Sequence, residues 1–240
     1  MESIKKFFKR FNIFDYLILS ISLTTTIVMS IIVKGNIFAI LTSMIGVISV
    51  VLTAKGNILG AFLGIIQAVF YSIISYSNAF YGEVILYLAI LIPLYVILII
   101  QWFKNLSKED AMVVKVNKLR VKEIVISFSS SILVFVAAFF ILKLFNTANL
   151  LLSAFSFATC GLATYFNLRR DKIFFLIFIF NNLVVVSMWI ISVIQTVNLS
   201  ILPVTVCSAT NIFTNIYGFI NWTKLYKKQN PEKCQINFFC

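Results

Sequence analysis

Residues 169–194 read RRDKIFFLIFIFNNLVVVSMWIISVI. A cluster of basic residues and one acid is followed by a run, Ile173–Ile194, that contains no charged residue. A helix that crosses about 30 Å of hydrocarbon needs roughly 20 apolar residues. This run is therefore long enough to span a bilayer, and the basic cluster marks one end of the span.

The rest of the chain repeats this pattern, and the composition agrees with it. Of the 240 residues, 61% are hydrophobic and 12% are charged, whereas soluble domains are roughly 45–50% apolar and about 25% charged. The sequence predicts an all-α membrane protein with about eight transmembrane helices. The predicted spans are approximately Tyr16–Val33, Asn36–Ala54, Ile58–Ser77, Val84–Phe103, Ile124–Phe145, Leu150–Leu168, Ile173–Ile194 and Ile201–Trp222.

The basic residues predict the orientation of these spans. A net charge of +12 could suggest nucleic acid as a partner, but the basic residues form short clusters between apolar runs. Threading the spans alternately places 18 of the 20 lysines and arginines on one side and only Lys34 and Lys143 on the other. The positive-inside rule then puts both termini in the cytoplasm. Before the first span, Phe residues alternate with Lys and Arg over the first 15 residues, which predicts an amphipathic helix in the cytoplasmic interface.

Aromatic landmarks indicate an internal repeat. Gln101-Trp102 closes the fourth span and Asn221-Trp222 closes the eighth, with a lysine two residues after each tryptophan. Two triplets of spans separated by one linker span point in the same direction, as in the parallel repeats of some transporters. The predicted units are residues 1–35 (interfacial segment and accessory span), 36–103 (first triplet), 104–149 (cytoplasmic loop and linker span), 150–223 (second triplet) and 224–240 (cytoplasmic tail).

The titratable residues argue against catalysis and against a proton relay. The chain has no histidine, and its eight acids fall near predicted helix ends, with Glu83 at the outer start of the fourth span. Proton-coupled carriers usually place ionisable groups along their path, and intramembrane hydrolases need a nucleophile, paired carboxylates or a metal. The four cysteines lack metal-type spacing. We predict a protein that is not an enzyme and has no cofactor, while sodium coupling through backbone carbonyls stays open.

Neutral amides and aromatic residues mark the predicted membrane interior instead. Each could be packing between helices, worth about 0.6 kcal/mol on average, or part of a binding site. Asn211 and Asn215 share a helix face, and Tyr71 and Trp189 occupy corresponding places in the two triplets. As a group they favour a site for a small, ringed ligand, neutral or singly positive, whereas a phosphorylated ligand would need Lys or Arg. The residues are Gln67, Tyr71, Asn181, Asn182, Trp189, Asn211, Asn215 and Tyr217.

Short motifs in this order resemble the PnuC family of vitamin transporters, the nicotinamide riboside carriers, over about residues 36–228. In the second half the motif is Asn215-x-x-Gly218-x-x-x-Trp222 followed by Lys224. In the first half the motifs are Lys55-Gly56-Asn57, Gly60, Gly64, Gln67, Tyr71, Tyr81-Gly82-Glu83 and Gln101-Trp102.

The resemblance implies a seven-helix core of two triplets and a linker helix, related to the SWEET sugar carriers and assembled as a homotrimer in the bacterial inner membrane. It also implies facilitated diffusion of nicotinamide riboside, a precursor for NAD biosynthesis, which a cytoplasmic kinase traps by phosphorylation. Two departures stand out. Phe175-x-x-Phe178 occupies the place of the family's Trp-x-x-Trp ahead of Asn182, and Leu98 stands where Gly218 lies in the second triplet.

We therefore predict a uniporter for nicotinamide riboside, with Trp102, Tyr217 and Trp222 as a cytoplasmic gate. The alternatives are a carrier of thiamine, riboflavin or a deoxynucleoside with the same fold, an ion-coupled transporter of another class, and a membrane scaffold or receptor that does not transport. The predicted substrate-binding residues are Gln67, Tyr71, Phe175, Phe178, Asn182, Trp189, Asn211 and Asn215.

Overall fold

The computed structural model describes residues 11–107 and 112–232 of the chain. In these two ranges, eight helices are long and apolar enough to cross a membrane, which confirms the predicted fold class. We number them α1 Ile13–Ile32, α2 Ile37–Ala54, α3 Leu59–Ser77, α4 Tyr81–Lys104, α5 Val121–Leu144, α6 Leu150–Leu168, α7 Ile173–Thr196 and α8 Leu202–Gln229, the last preceded by a 3₁₀ turn, Leu199–Ile201.

The fourth helix is irregular in the half that begins at Tyr81. Its α-helical stretches Tyr81–Ile85 and Ile92–Lys104 are joined by a π-helical stretch, Leu86–Leu91. Pro93 lies two residues after this stretch, and a proline inside a helix offers no N–H and its ring presses on the preceding turn. A wider π turn before it relieves that contact, so the sequence explains why this helix is widened where it is.

Polar side chains fix several helix starts. The Asn36 side chain accepts a hydrogen bond from the Phe38 amide at 2.8 Å, at the start of α2. Asp171 does the same at the start of α7, where its Oδ1 accepts from the Ile173 amide at 2.9 Å. These short side chains satisfy backbone donors that the first helical turn leaves free.

The loops predicted to share the cytoplasmic side meet at one end of the bundle, which we call the basic end. Here residues 112–120 form a strap across the helix ends. The Val114 amide donates to the Gly56 carbonyl at 3.0 Å, and the Asn117 amide donates to the Arg170 carbonyl at 2.9 Å. At the opposite end, the Ala148 amide donates to the Ala79 carbonyl at 3.0 Å.

Two helices extend beyond the approximate predicted spans. The first spanning helix, α1, already includes residues 13–15; residues 1–10, the rest of the predicted interfacial segment before Phe11, lie outside the described residues. The last helix continues past Trp222 to Gln229. The Gln229 side chain explains the extension, because it accepts from the Val116 amide at 2.8 Å and so joins α8 to the strap.

The two tryptophans of the predicted repeat form reciprocal hydrogen bonds. Trp102 Nε1 donates to the Asn167 carbonyl near the end of α6 at 3.3 Å, and Trp222 Nε1 donates to the Thr53 carbonyl near the end of α2 at 3.0 Å. The two rings also pack together, with centroids 5.8 Å apart. Each tryptophan therefore joins its own half to the first helix of the other half, while the grouping into two triplets stays a prediction.

The accessory helix is attached through a buried acid. Asp15 is fully buried at the basic end, where it forms an ion pair of 2.9 Å with Lys55 and accepts a hydrogen bond from the Tyr217 hydroxyl. Its carboxylate also accepts from the Asn12 amide at 2.6 Å, at the start of α1. One side chain thus connects α1, α2 and α8.

We expect Asp15→Asn to lower the free energy of unfolding by about 2 kcal/mol, because charge-assisted hydrogen bonds to a buried carboxylate are lost. Thermal unfolding of the purified protein in detergent measures the effect. Glu232→Gln, an exposed acid three residues after the end of α8, is the matched control and should unfold like the unmodified protein. Equal melting temperatures for the two variants would contradict this role of Asp15.

Candidate substrate site

A cavity of about 90 Å³ lies between α2, α3, α4, α6, α7 and α8. Its wall combines amides, hydroxyl groups and aromatic rings. The amides are Gln67, Asn167, Asn181, Asn182, Asn211 and Asn215, the hydroxyl side chains include Thr42, Ser49, Thr53 and Ser208, and the aromatic residues are Tyr71, Tyr87, Tyr95, Trp102, Phe174 and Phe178. Among the described residues, none that lines the cavity is charged.

Three polar atoms of this wall are buried without a protein hydrogen-bond partner: Thr42 Oγ1, Asn167 Oδ1 and Asn211 Oδ1. An unpaired buried polar atom costs about 1–3 kcal/mol, so such atoms are uncommon in packed interiors. Here they belong to side chains that line the cavity. The arrangement can therefore bind a ligand that offers hydroxyl or amide donors.

The two adjacent asparagines of α7 have different partners. Asn181 donates from Nδ2 to the Ser156 carbonyl at 3.1 Å and to Thr159 Oγ1 at 3.0 Å, which joins α7 to α6. Asn182 donates only within its own helix, to the Phe178 carbonyl at 2.7 Å. Asn181 thus contributes helix packing as well as cavity wall.

Most predicted site residues are brought together by the fold. Asn211 and Asn215 of α8 are both buried and both line the cavity, as their spacing of four residues predicts. The other predicted substrate-binding residues in the wall are Gln67, Tyr71, Phe178 and Asn182, together with the predicted gate residue Trp102. Gln67 packs on Gly46 of α2, where an added Cβ would lie 2.6 Å from Gln67 Nε2.

Phe175 and Trp189 lie outside the cavity wall. Phe175 is fully buried against Trp222 and over Gly218, where an added Cβ would come within 2.3 Å of the phenylalanine ring. The neighbouring Phe174 lines the cavity in its place. The Phe-x-x-Phe motif therefore supplies Phe178 to the cavity, while Phe175 fills the space that the glycine leaves.

Trp189 stands behind Tyr71 as a supporting residue. Its Nε1 donates to the Tyr71 hydroxyl at 3.0 Å, and the two rings meet edge to face with centroids 6.0 Å apart. Tyr71 lines the cavity and also stacks on Tyr87, with centroids 4.4 Å apart. Tyr71 and Trp189, which were predicted to occupy corresponding places in the two triplets, are thus in direct contact. Of the two, only Tyr71 faces the cavity.

The predicted gate residues occupy two layers. Trp102 lines the cavity, and Trp222 packs on it from outside with full burial. Tyr217 lies closer to the bundle surface, where it is half-buried and bonded to Asp15.

Sequence reasoning missed the contribution of α4. Three residues of α4 line the cavity at intervals of four positions: Tyr87, Leu91 and Tyr95. A spacing of four residues along one helix would have predicted a shared face. Asn167, a buried amide close to the charged Arg169-Arg170 pair, was missed because it resembles a helix-end residue.

Comparison with known proteins identifies the family. Residues 36–224 match the model of a family described as "Nicotinamide mononucleotide transporter". The chain belongs to this family, the PnuC vitamin transporters. The match begins at α2 and ends within α8, so the accessory helix α1 of this PnuC-family chain lies outside it.

Two relatives agree with this assignment. The chain is 23% identical over 197 residues to a Neisseria mucosa protein named "Nicotinamide riboside transporter PnuC", covering 81% of this chain and 74% of that protein. A solved structure described as "Crystal structure of the Vitamin B3 transporter PnuC" has a TM-score of 0.82 at 22% identity, covering 91% of this chain and 94% of the other. This likeness confirms the fold. Membership of the PnuC family makes the chain a membrane transporter of vitamin-type small molecules.

Proposed function

We infer that the chain carries nicotinamide riboside across a bacterial cytoplasmic membrane by facilitated diffusion, with both termini in the cytoplasm. The observation that carries this proposal is the set of unpaired buried oxygens in the cavity wall, Thr42 Oγ1, Asn167 Oδ1 and Asn211 Oδ1. Ribose hydroxyls and a carboxamide offer the hydrogen-bond donors that these acceptors lack.

The aromatic part of the wall suits the flat ring of the ligand. Tyr71, Tyr87, Tyr95 and Phe178 come from three different helices and face one space. Aromatic faces attract a cationic ring by about 0.5–2 kcal/mol. The positively charged pyridinium ring of nicotinamide riboside fits such a surface better than a neutral sugar does.

The described residues of the cavity wall carry no charge. This favours the riboside over the mononucleotide that the family description names. Binding a phosphate group in a low-dielectric site requires a Lys, an Arg or a helix N-terminus. Among the described residues that line the cavity there is no lysine and no arginine. A phosphorylated ligand would therefore leave its charge without a partner.

The volume of the cavity is too small for its proposed ligand. Its volume of about 90 Å³ falls below the roughly 300–1,000 Å³ of ordinary ligand pockets. Transport therefore requires the helices around the cavity to move apart first at one end of the bundle and then at the other. Trp102, Tyr217 and Trp222 are proposed to open and close the path at the basic end.

The remaining elements of the proposal follow from the family resemblance. A cytoplasmic kinase traps the imported riboside as a phosphate ester, which makes net uptake directional without ion coupling. The protein assembles as a homotrimer, and the two triplets 36–103 and 150–223 move relative to each other around the cavity.

A thermal-shift screen of the purified protein against nicotinamide riboside, nicotinamide mononucleotide, thiamine, riboflavin and deoxynucleosides tests the substrate. We expect nicotinamide riboside at about one hundred times its Kd to raise the melting temperature by about 5 °C through mass action. The mononucleotide should produce no shift, since no cation in the wall pairs with its phosphate. A larger shift with thiamine, riboflavin or a deoxynucleoside would assign a different substrate.

Proteoliposomes without a kinase distinguish the transport mechanisms. Facilitated diffusion predicts uptake that stops at equal concentrations inside and outside, and that an ionophore leaves unchanged. Uptake that collapses with the ionophore would favour the ion-coupled alternative. Absence of flux for every ligand that binds would favour a receptor.

A further inference from the structure

The cavity-facing stripe of α4 begins with an acid. A π-helical turn contains between four and five residues. Residues four apart therefore lie on nearly the same face of the helix through the widened stretch Leu86–Leu91. The residues of α4 that line the cavity are Tyr87, Leu91, Tyr95, Leu98 and Trp102. Glu83 precedes Tyr87 by four residues and therefore continues this stripe by one turn, towards the end of the bundle opposite the basic end.

Glu83 is a buried carboxyl group without a counter-charge. Its side chain is 0% exposed. Ser156 and Tyr71 approach it, but neither carboxylate oxygen forms a hydrogen bond of ordinary geometry. Within residues 11–107 and 112–232, no lysine or arginine lies within 4 Å of either oxygen.

The titratable groups close enough to interact with Glu83 cannot carry a positive charge. They are Tyr71 of α3, Tyr87 of its own helix and Cys160 of α6. Removing an ionised carboxylate from water is costly unless an opposite charge or several hydrogen bonds accompany it. Acids in this position within membrane proteins usually mark the path of a substrate or ion. A carboxyl group in this position gains a proton unless a cation lies next to it.

Tyr71 connects Glu83 to the cavity. It approaches the carboxyl group and also lines the cavity wall. A ligand that packs against Tyr71 and Tyr87 would be separated from Glu83 by a single layer of aromatic rings. Charges interact strongly over such a distance when water is excluded.

We propose that Glu83 supplies the counter-charge that makes this site select a singly positive aromatic ligand over a neutral ligand of the same shape. This inference rests on the proposed function, because the pyridinium ring of nicotinamide riboside carries that charge. It assigns Glu83 a role in specificity, while the amides and hydroxyl groups of the wall bind the ribose and the carboxamide.

The test compares two ligands that differ by one charge. Nicotinamide riboside is a cation, and its 1,4-dihydro form has the same ribose and carboxamide but a neutral ring. Binding of both to the full-length protein in nanodiscs is measured by calorimetry. We expect Glu83→Gln to weaken binding of the cation by about tenfold, the size of one moderately screened charge interaction, and to change binding of the dihydro form by less than about twofold.

Two variants serve as controls. Glu83→Asp keeps the charge and should keep the preference for the cation. Glu123→Gln removes an acid that pairs with Arg169 at the basic end and should leave both affinities unchanged. An equal loss of both ligands in Glu83→Gln would indicate a purely structural role and would overturn the proposal, as would unchanged binding of the cation.

Failure of the proposed function gives a different result. If the unmodified protein binds neither riboside, the function proposed above is wrong. The same comparison between thiamine, which is a cation, and uncharged deoxynucleosides then decides the role of Glu83. A preference for thiamine that disappears in Glu83→Gln would support that role, and a preference that persists would refute it.

Discussion

Asn211→Leu and Asn215→Leu are each expected to abolish saturable uptake of nicotinamide riboside at micromolar concentration. Both side chains are buried in the cavity wall, and Asn211 Oδ1 has no protein hydrogen-bond partner. Leucine has a similarly branched but bulkier side chain that cannot accept or donate a hydrogen bond, so a polar group of the ligand would be buried unpaired. That costs about 1–3 kcal/mol, which corresponds to as much as about a hundredfold in affinity.

The measurement is uptake into proteoliposomes as a function of substrate concentration, together with the thermal shift in detergent. Asn78→Leu is the matched control, because Asn78 is half-buried at the end of α3 and its side chain bonds only to its own helix. All three variants should insert and reach the same oligomeric state. Unchanged uptake in both cavity variants would refute the proposed site.

Gly60→Ala is expected to lower the free energy of unfolding by about 3 kcal/mol through overpacking. An added Cβ would lie 2.4 Å from Thr53 Oγ1 and 2.8 Å from both the Ser49 carbonyl and the Thr53 amide nitrogen. Two of these atoms belong to the backbone of α2, so relief requires the two helices to separate. Separation would also break the 2.7 Å hydrogen bond from the Ser49 hydroxyl to the Gly60 carbonyl.

Gly161→Ala provides the control for this prediction. Gly161 is also a helical glycine, but an added Cβ there would have no heavy atom within 4 Å. Its melting temperature should equal or slightly exceed that of the unmodified protein, since alanine favours helix. Melting curves in detergent and the elution profile on size exclusion compare the two variants. Similar stability of Gly60→Ala and Gly161→Ala would show that α2 and α3 can separate without cost.

The site was predictable to different extents for different side chains. An asparagine or glutamine within an apolar run must face other helices or a cavity, because hydrocarbon offers it no partner. This argument placed Gln67, Asn182, Asn211 and Asn215 in the interior correctly. It cannot distinguish an amide that binds a ligand from one such as Asn181, whose donors are occupied by α6.

Aromatic residues were harder to assign. Tryptophan, tyrosine and phenylalanine are stable against lipid, against other helices and in a cavity, so their occurrence in a span does not fix the direction they face. Sequence reasoning therefore assigned Phe175 and Trp189 to the cavity, where the structure has Phe174 and Tyr87. The Gly218 surface that holds Phe175 comes from another helix and is visible only in the folded protein.

Sequence alone determined the number of membrane helices and the grouping of the basic loops at one end. Both depend on local quantities: the length of an uncharged run measured against the thickness of a bilayer, and the positions of Lys and Arg between runs. The tertiary structure decided how each helix is rotated, which brought Asp15 to Lys55, Glu83 to Tyr71 and the two tryptophans to each other. In a membrane the lipid side and the protein side of a helix are both apolar, so the one-sided pattern that orients helices of soluble proteins is weak.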